Sequence, residues 1–361
     1  MGRNFTMLFR TLLLSALIFQ GLPGVCSGQS VSINVEAPEL AVDLLNPDGT
    51  LNQNPTLCSD TQAFSGRLSP EAAAAIAEAR CRVRLLEGAA YNLKTSPLLS
   101  SLQTESTPLN YGSIAQSLSR IMIVEQADPA SGEAGNQIAL VVELTPLYPD
   151  LSTAIKAGIA DQDFQYLQAQ ALALEKDSLL EVERFLPQVL NDESDGSLLK
   201  KHLNRLSALD LCRRYLEPPK SALPNSEDRV QQIEQAMNQA ARLDPSNPLV
   251  FCILGANQLQ SGRTAQAVAS YSQALKFNPD FLPALSGRGT AYLRLNLIDL
   301  ALADFNQAIT LNKDNPAYYM ARASALLMRE DFPAMCQDFR TACGKGECEG
   351  YNWAVNSGHC K

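Results

Sequence analysis

Residues 251–280 read FCILGANQLQSGRTAQAVASYSQALKFNPD, and the same outline returns twice downstream at a step of 34 residues. Gly255 and Gly289 are one step apart, with Ala323 at the next. Phe251, Leu285 and Tyr319 keep the interval, as do Ala267, Ala301 and Met335. Tyr271, Phe305 and Phe339 follow, then Ala274, Ala308 and Ala342. Pro279 closes the first copy, and Lys313 stands in its place in the second. A small residue at a fixed place lets two antiparallel helices approach closely, an aromatic fills the gap to the next unit, and a proline ends the second helix. The period therefore predicts stacked helical hairpins over about 248–343.

The motif, a bulky residue, x2-L-G-x2-Y, then A-x3-F, A and P, resembles the tetratricopeptide repeat. The resemblance implies an α-solenoid, which is a binding architecture and not a reaction type. It also implies which positions of each first helix line the concave face. These are Leu249, Cys252, Ala256, Leu259 and Gln260 in the first repeat. The second gives Pro283, Ser286, Thr290, Leu293 and Arg294, and the third Ala317, Met320, Ser324, Leu327 and Met328. The form of this repeat that grips acidic chaperone tails needs Lys and Asn at several of these places, and neither stands there. The face reads as small and apolar, with Met320 and Met328 able to adapt their shape. Such a groove suits an amphipathic helix or an extended hydrophobic segment of a protein partner. The chain's own N-terminal part or a second subunit could fill it equally well.

Repeats two and three carry Arg288 and Arg322, with Asp304 and Asp338 sixteen residues on, where repeat one has Leu254 and Ser270. A charge that comes and goes with its opposite predicts an ion pair between the two helices of a hairpin, for which a planar guanidinium is suited. The functional alternative is an arginine row reading an acidic ligand.

The N-terminus predicts export. Arg3 and Arg10 precede an apolar run from Thr11 to Val25, too short for a lasting membrane span, and small residues around Ser27 and Gly28 suit a signal peptidase. Cys26 raises a lipid anchor as an alternative, although Pro23-Gly24-Val25 departs from a lipobox. Without residues 1–27 the chain keeps 27 basic against 38 acidic residues. That balance argues against nucleic acid or anionic lipid as a partner.

Eight cysteines follow the leader, and an even number in an oxidising compartment predicts disulfides. Cys336, Cys343, Cys348 and Cys360 crowd the end with His359, so metal is the competing reading, but the intervals are not the C-x2-C pairs of zinc sites. Seven helical residues between Cys336 and Cys343 span about 10 Å, beyond the reach of one bond of about 7 Å between Cα atoms. A short helix returning antiparallel across Gly344–Gly346 favours the nested pairs Cys343–Cys348 and Cys336–Cys360. Cys212 and Cys252 would lie on adjacent first helices and pair, and Cys58–Cys81 is the remainder. This tail is similar to the cysteine-rich caps of exported bacterial repeat proteins.

Upstream, Arg229 to Leu243 and about Ser197 to Leu216 read as a degenerate hairpin, broken by Pro218-Pro219 and the residues after them. Asp161 to Leu190 reads as an amphipathic connecting helix, with a short coiled coil as the alternative. Ser69-Pro70-Glu71 opens a helix running to about Asn92, Tyr111 to Leu118 is a short helix, and Ile121–Glu125 with Gln137–Glu143 form a β-hairpin. Asn46 to Thr61 reads as turns. The order helix, helix, hairpin over about 67–147 is similar to flagellar T-ring-like domains. The predicted fold is thus mostly α: leader 1–27, irregular segment 28–66, α+β module 67–148, helical linker 149–196, degenerate repeat 197–246, three repeats 247–346 and a capping helix 347–361.

No catalytic pattern emerges. His202 and His359 are the only histidines, and there is no G-x-S-x-G, H-E-x-x-H, C-x-x-C or phosphate-binding glycine loop. The sequence calls for no cofactor and no enzyme. It leaves two readings, an exported adaptor that holds a protein or peptide partner, and an envelope component whose repeats dock its own module or assemble copies of the chain.

Overall fold

The computed structural model describes residues 40–48, 50–64, 68–96, 99, 111–126, 137–150, 162–191, 196–216 and 227–360. The expected leader, the hairpin tip, most of the NDESDG linker and the Pro218-Pro219 insert lie outside these residues. The chain divides into two compact units, one made of the described residues up to Val250 and the other of those from Phe251 onward.

The first unit is built on a three-stranded antiparallel sheet, β1 (Thr56–Ala63), β2 (Ser119–Gln126) and β3 (Gln137–Pro146), in the order β1-β3-β2. β1 corrects the sequence reading, which took this stretch as turns within an irregular segment. Its sequence, TLCSDTQA, has little apolar alternation, and Cys58 with Gln62 are what it turns inward. Its strand character comes from pairing with β3, where Cys58 lies opposite Val142 and Gln62 opposite Ile138. β3 alternates cleanly: Ile138, Leu140, Val142 and Leu144 are all buried.

Helix α1 (Pro70–Thr95) lies on the sheet and supplies the other half of that core through Ile76, Ala77, Cys81 and Leu85. Ser69 caps it by accepting from the Ala72 amide at 3.2 Å, and Pro70 sits at its first turn, where a missing N–H costs nothing. The Cys58–Cys81 bond fastens strand to helix. Gly88 is needed in α1 because the 40–44 segment crosses there, and a Cβ would overlap the Leu40 carbonyl and the Val42 side chain. Helix α2 (Tyr111–Leu118) leads directly into β2.

Helices α3 (Gln162–Leu190), α4 (Ser197–Leu216) and α5 (Glu227–Leu243) complete the unit, each packed on the next. Arg205 of α4 holds Asp244 at 3.0 Å, at the end of α5. Cys212 on α4 is a buried thiol whose pKa is pushed up to about 12 by burial, with Asp244 adding to it. The expected Cys212–Cys252 disulfide is absent: both residues are buried thiols. The expectation placed the two on adjacent first helices, but a thiol also packs into an apolar interior as a small hydrophobe.

Between α1 and α3, Arg82 is 3% exposed and meets Glu175 at 3.0 Å and also Glu78. Burial is the main influence on Glu175 and pushes its pKa from 4.5 to about 7, against the pull of Arg82. A carboxyl whose folded pKa is raised binds more protons folded than unfolded, so its stabilisation is present below about 4.5 and is lost as pH rises through about 7. Wild type should therefore lose about 3 kcal/mol relative to Glu175→Gln across that window. Urea midpoints of both proteins from pH 4 to 8 check this, and parallel curves would refute it.

The second unit consists of hairpins. Helices α6 (Pro248–Gln260, shared with the first unit), α8 (Leu282–Arg294) and α10 (Pro316–Met328) are the first helices of three repeats. Helices α7 (Thr264–Phe277), α9 (Ile298–Leu311) and α11 (Phe332–Gly344) are the second. At each turn inside a hairpin one residue takes a left-handed backbone, at the same 34-residue step: Gly262 (φ 79), Asn296 (φ 60) and Glu330 (φ 62). Glycine adopts this freely and the other two are held there by the turn.

Aromatic rings set the stacking. Tyr271 lies against Gly255 of its own repeat and Gly287 of the next, where a Cβ would overlap its ring. Phe305 lies so close to Gly289 that a Cβ there would be 2.7 Å from its ring. Phe339 packs on Gly350 of the last helix, α12 (Glu349–Asn356). That helix is tied down by Cys336–Cys360 and Cys343–Cys348, so the end of the array is covered. His359 stacks on Phe332 with ring centres 4.9 Å apart. Among the described residues no group of three or more His, Cys, Asp or Glu is placed to hold a metal.

Candidate binding face

The first helices turn one side toward the aromatic stacks, so their other side is the candidate face. The structure sorts its residues by depth. Leu249, in the first unit, and Cys252 are buried, as are Leu259, Pro283 and Leu293. Ala256, Ser286, Thr290, Met320, Ser324 and Leu327 are half-buried. Gln260, Arg294, Ala317 and Met328 are exposed. The apolar character expected for the groove is thus carried at depth. Leu293 belongs to the core around Phe305 and Phe339, Met320 and Leu327 pack against that core, and the rest of the half-buried middle is made of small side chains.

Local bonding changes what these small residues offer. Thr290 donates to the Ser286 carbonyl at 2.9 Å, and Ser324 to the Met320 carbonyl at 3.0 Å. Hydroxyls satisfied by their own helix turn present mostly methyl and methylene surface outward. Arg294 reaches back one hairpin and donates through Nη1 to the Leu259 carbonyl at 2.6 Å, near the end of α6. That carbonyl lies in the last turn, where helix oxygens need outside partners. Arg294 is therefore partly a structural strut and partly the positive edge of the face.

Arg288 and Arg322 are structural on the same evidence. Arg288 grips Asp304 with Nε at 2.8 Å and Nη2 at 2.7 Å, and Arg322 grips Asp338 at the same two distances. The acids are buried, with side chains 7% and 5% exposed. Each arginine spends its remaining arm on the preceding repeat: Arg288 Nη1 donates to Ser272 at 3.2 Å, and Arg322 Nη1 to Asn306 at 2.6 Å. Sequence reading missed this third partner, although Ser272 and Asn306 stand at the 34-residue step that would have revealed it. In repeat one a neutral contact takes over, Ser270 donating to Gln258 at 2.8 Å. A cavity of about 290 Å³ opens over the Arg322–Asp338 pair, lined also by Asn306, Arg329 and Gln337.

The tetratricopeptide repeat family model matches residues 253–316 and 286–345. The hairpins of residues 253–345 are thus similar to tetratricopeptide repeats. No curated protein matches the chain. Solved structures similar to it include MamA from Desulfovibrio magneticus, 16% identical, covering 44% of this chain and 86% of that one at a TM-score of 0.36. The first tetratricopeptide domain of Spaghetti bound to an HSP90 peptide is 19% identical, covering 32% of this chain and 94% of that one at 0.30. The second such domain of human RPAP3, in complex with an HSP70 peptide, is 18% identical, covering 35% and 97% at 0.30.

Proposed function

We propose that the repeats hold a peptide segment of a protein partner along the face built by α6, α8 and α10. The observation that carries this is the row of half-buried small residues, Ala256, Ser286, Thr290 and Ser324, between the exposed edges Gln260, Arg294 and Met328. Small side chains leave room for a bound chain, and the hydroxyls of Thr290 and Ser324, bonded to their own helices, demand no polar partner. Such a surface suits apolar side chains of an extended segment or an amphipathic helix, with Arg294 favouring a negative group at one edge.

The setting we propose is an exported one. What supports it is the three disulfides, which persist in oxidising compartments, together with the apolar leader. No described helix is long and apolar enough to cross a membrane. The likeness of the α+β module to flagellar T-ring-like domains rests on element order, to which β1 is now added.

The test uses half-buried positions, because charges at buried Leu259 or Leu293 would disturb the core itself. Peptides selected from a random displayed library on the oxidised chain are compared on wild type and on Ser286→Arg, Thr290→Arg, after both show equal thermal melting. We expect the variant to bind at least about tenfold more weakly. Equal binding by both, or no selected peptide at all, would remove the face from the account and leave the repeats as architecture.

A further inference from the structure

Among the described residues, strand β2 forms one border of the sheet, with β3 on its other side. Natural sheets usually blunt such borders with charged residues, proline, a bulge or a covering segment, because an open edge templates a further strand. Here the middle of the strand is Ile121, Met122, Ile123 and Val124, and the last three are 43%, 39% and 43% exposed.

A bulge in this strand changes what the edge can pair with. Ile123 lies opposite Val142 and Glu125 opposite Val141, so Val124 is an extra residue. Arg120, Met122 and Glu125 therefore lie opposite Thr145, Glu143 and Val141, which puts all three on the sheet face away from buried Leu140, Val142 and Leu144. Without the extra residue, Arg120 and Glu125 would point to opposite faces. With it, a positive and a negative residue flank Met122 at equal steps on one face.

That pattern is complementary to itself. Two antiparallel strands in one sheet are related by a two-fold axis perpendicular to it, and directly opposed residues share a face. With the axis at Met122, Arg120 of each copy lies opposite Glu125 of the other, and Ile121 lies opposite the Ile123–Val124 bulge. We propose that β2 pairs with β2 of a second copy of this chain, joining two three-stranded sheets into one. A foreign strand would have no reason to match this symmetry.

Sedimentation velocity of the oxidised chain tests the proposal, with Arg120→Glu, Glu125→Arg and the double swap. Wild type should dimerise. Each single variant should dissociate about 10- to 100-fold more readily, because two attractive cross-strand pairs become two repulsive ones, and the double swap should restore the dimer. Near-ultraviolet dichroism reports that each variant is folded. Independently, Met122→Cys should give a covalent dimer on mild oxidation, seen on a non-reducing gel. The proposal is overturned by a monomer at all concentrations, by a dimer that both single variants leave intact, or by a folded double swap that stays monomeric.

Discussion

Asp304→Ala should destabilise the protein by about 3 kcal/mol, while Arg288→Leu combined with Asp304→Ala should fall within about 1 kcal/mol of wild type. The single change leaves the half-buried guanidinium, which Asp304 grips at 2.7 and 2.8 Å in wild type, without its acid. Breaking such a pair costs far more than the pair contributes, because an unmatched charge remains out of water. The double change removes both charges and mimics the first repeat, which carries Leu254 where the second carries Arg288. Arg288 also reaches Ser272 of the preceding repeat and lies 5.7 Å from the centre of the Tyr292 ring, so some packing is lost in the double variant. Guanidinium denaturation of the three proteins decides it. If the double variant is less stable than the single one, the arginine contributes more through Ser272 and Tyr292 than through its acid.

The second large effect belongs to the C-terminal cap. Cys336→Ala, Cys360→Ala opens a loop spanning 24 residues, worth about 3 kcal/mol by loop-closure entropy, and detaches the last helix from the stack. The chain's only tryptophan, Trp353, sits in that helix edge-on to Phe339, with ring centres 6.4 Å apart. Its emission should move to the red at lower denaturant in the variant, before the helical signal of the repeats is lost. Coincident fluorescence and far-ultraviolet transitions in the variant would show that cap and repeats open together.

Sequence carried the repeats because their determinants are local and periodic: Gly255 under Tyr271 and Gly289 under Phe305 are contacts within one hairpin. β1 was not legible, since Thr56–Ala63 is polar and becomes a strand only by pairing with a segment some eighty residues away. Depth was not legible either. Periodicity says which side of a helix a residue occupies, and it put Leu259 and Leu293 on the candidate face, but it does not say that neighbouring helices close over them. The thiols of Cys212 and Cys252 fall under the same limit, because assigning both to first helices says nothing of how far apart packing holds them.

Gly350 receives Phe339 much as Gly287 receives Tyr271, so the last short helix imitates the leading helix of a further repeat and then stops. The join into the second repeat and the join into the cap therefore both seat an aromatic ring against a glycine, while the third repeat carries Ala321 at the matching place. A chain with one hairpin more or fewer, copied or deleted as a 34-residue module between α7 and α11, would keep the same terminus.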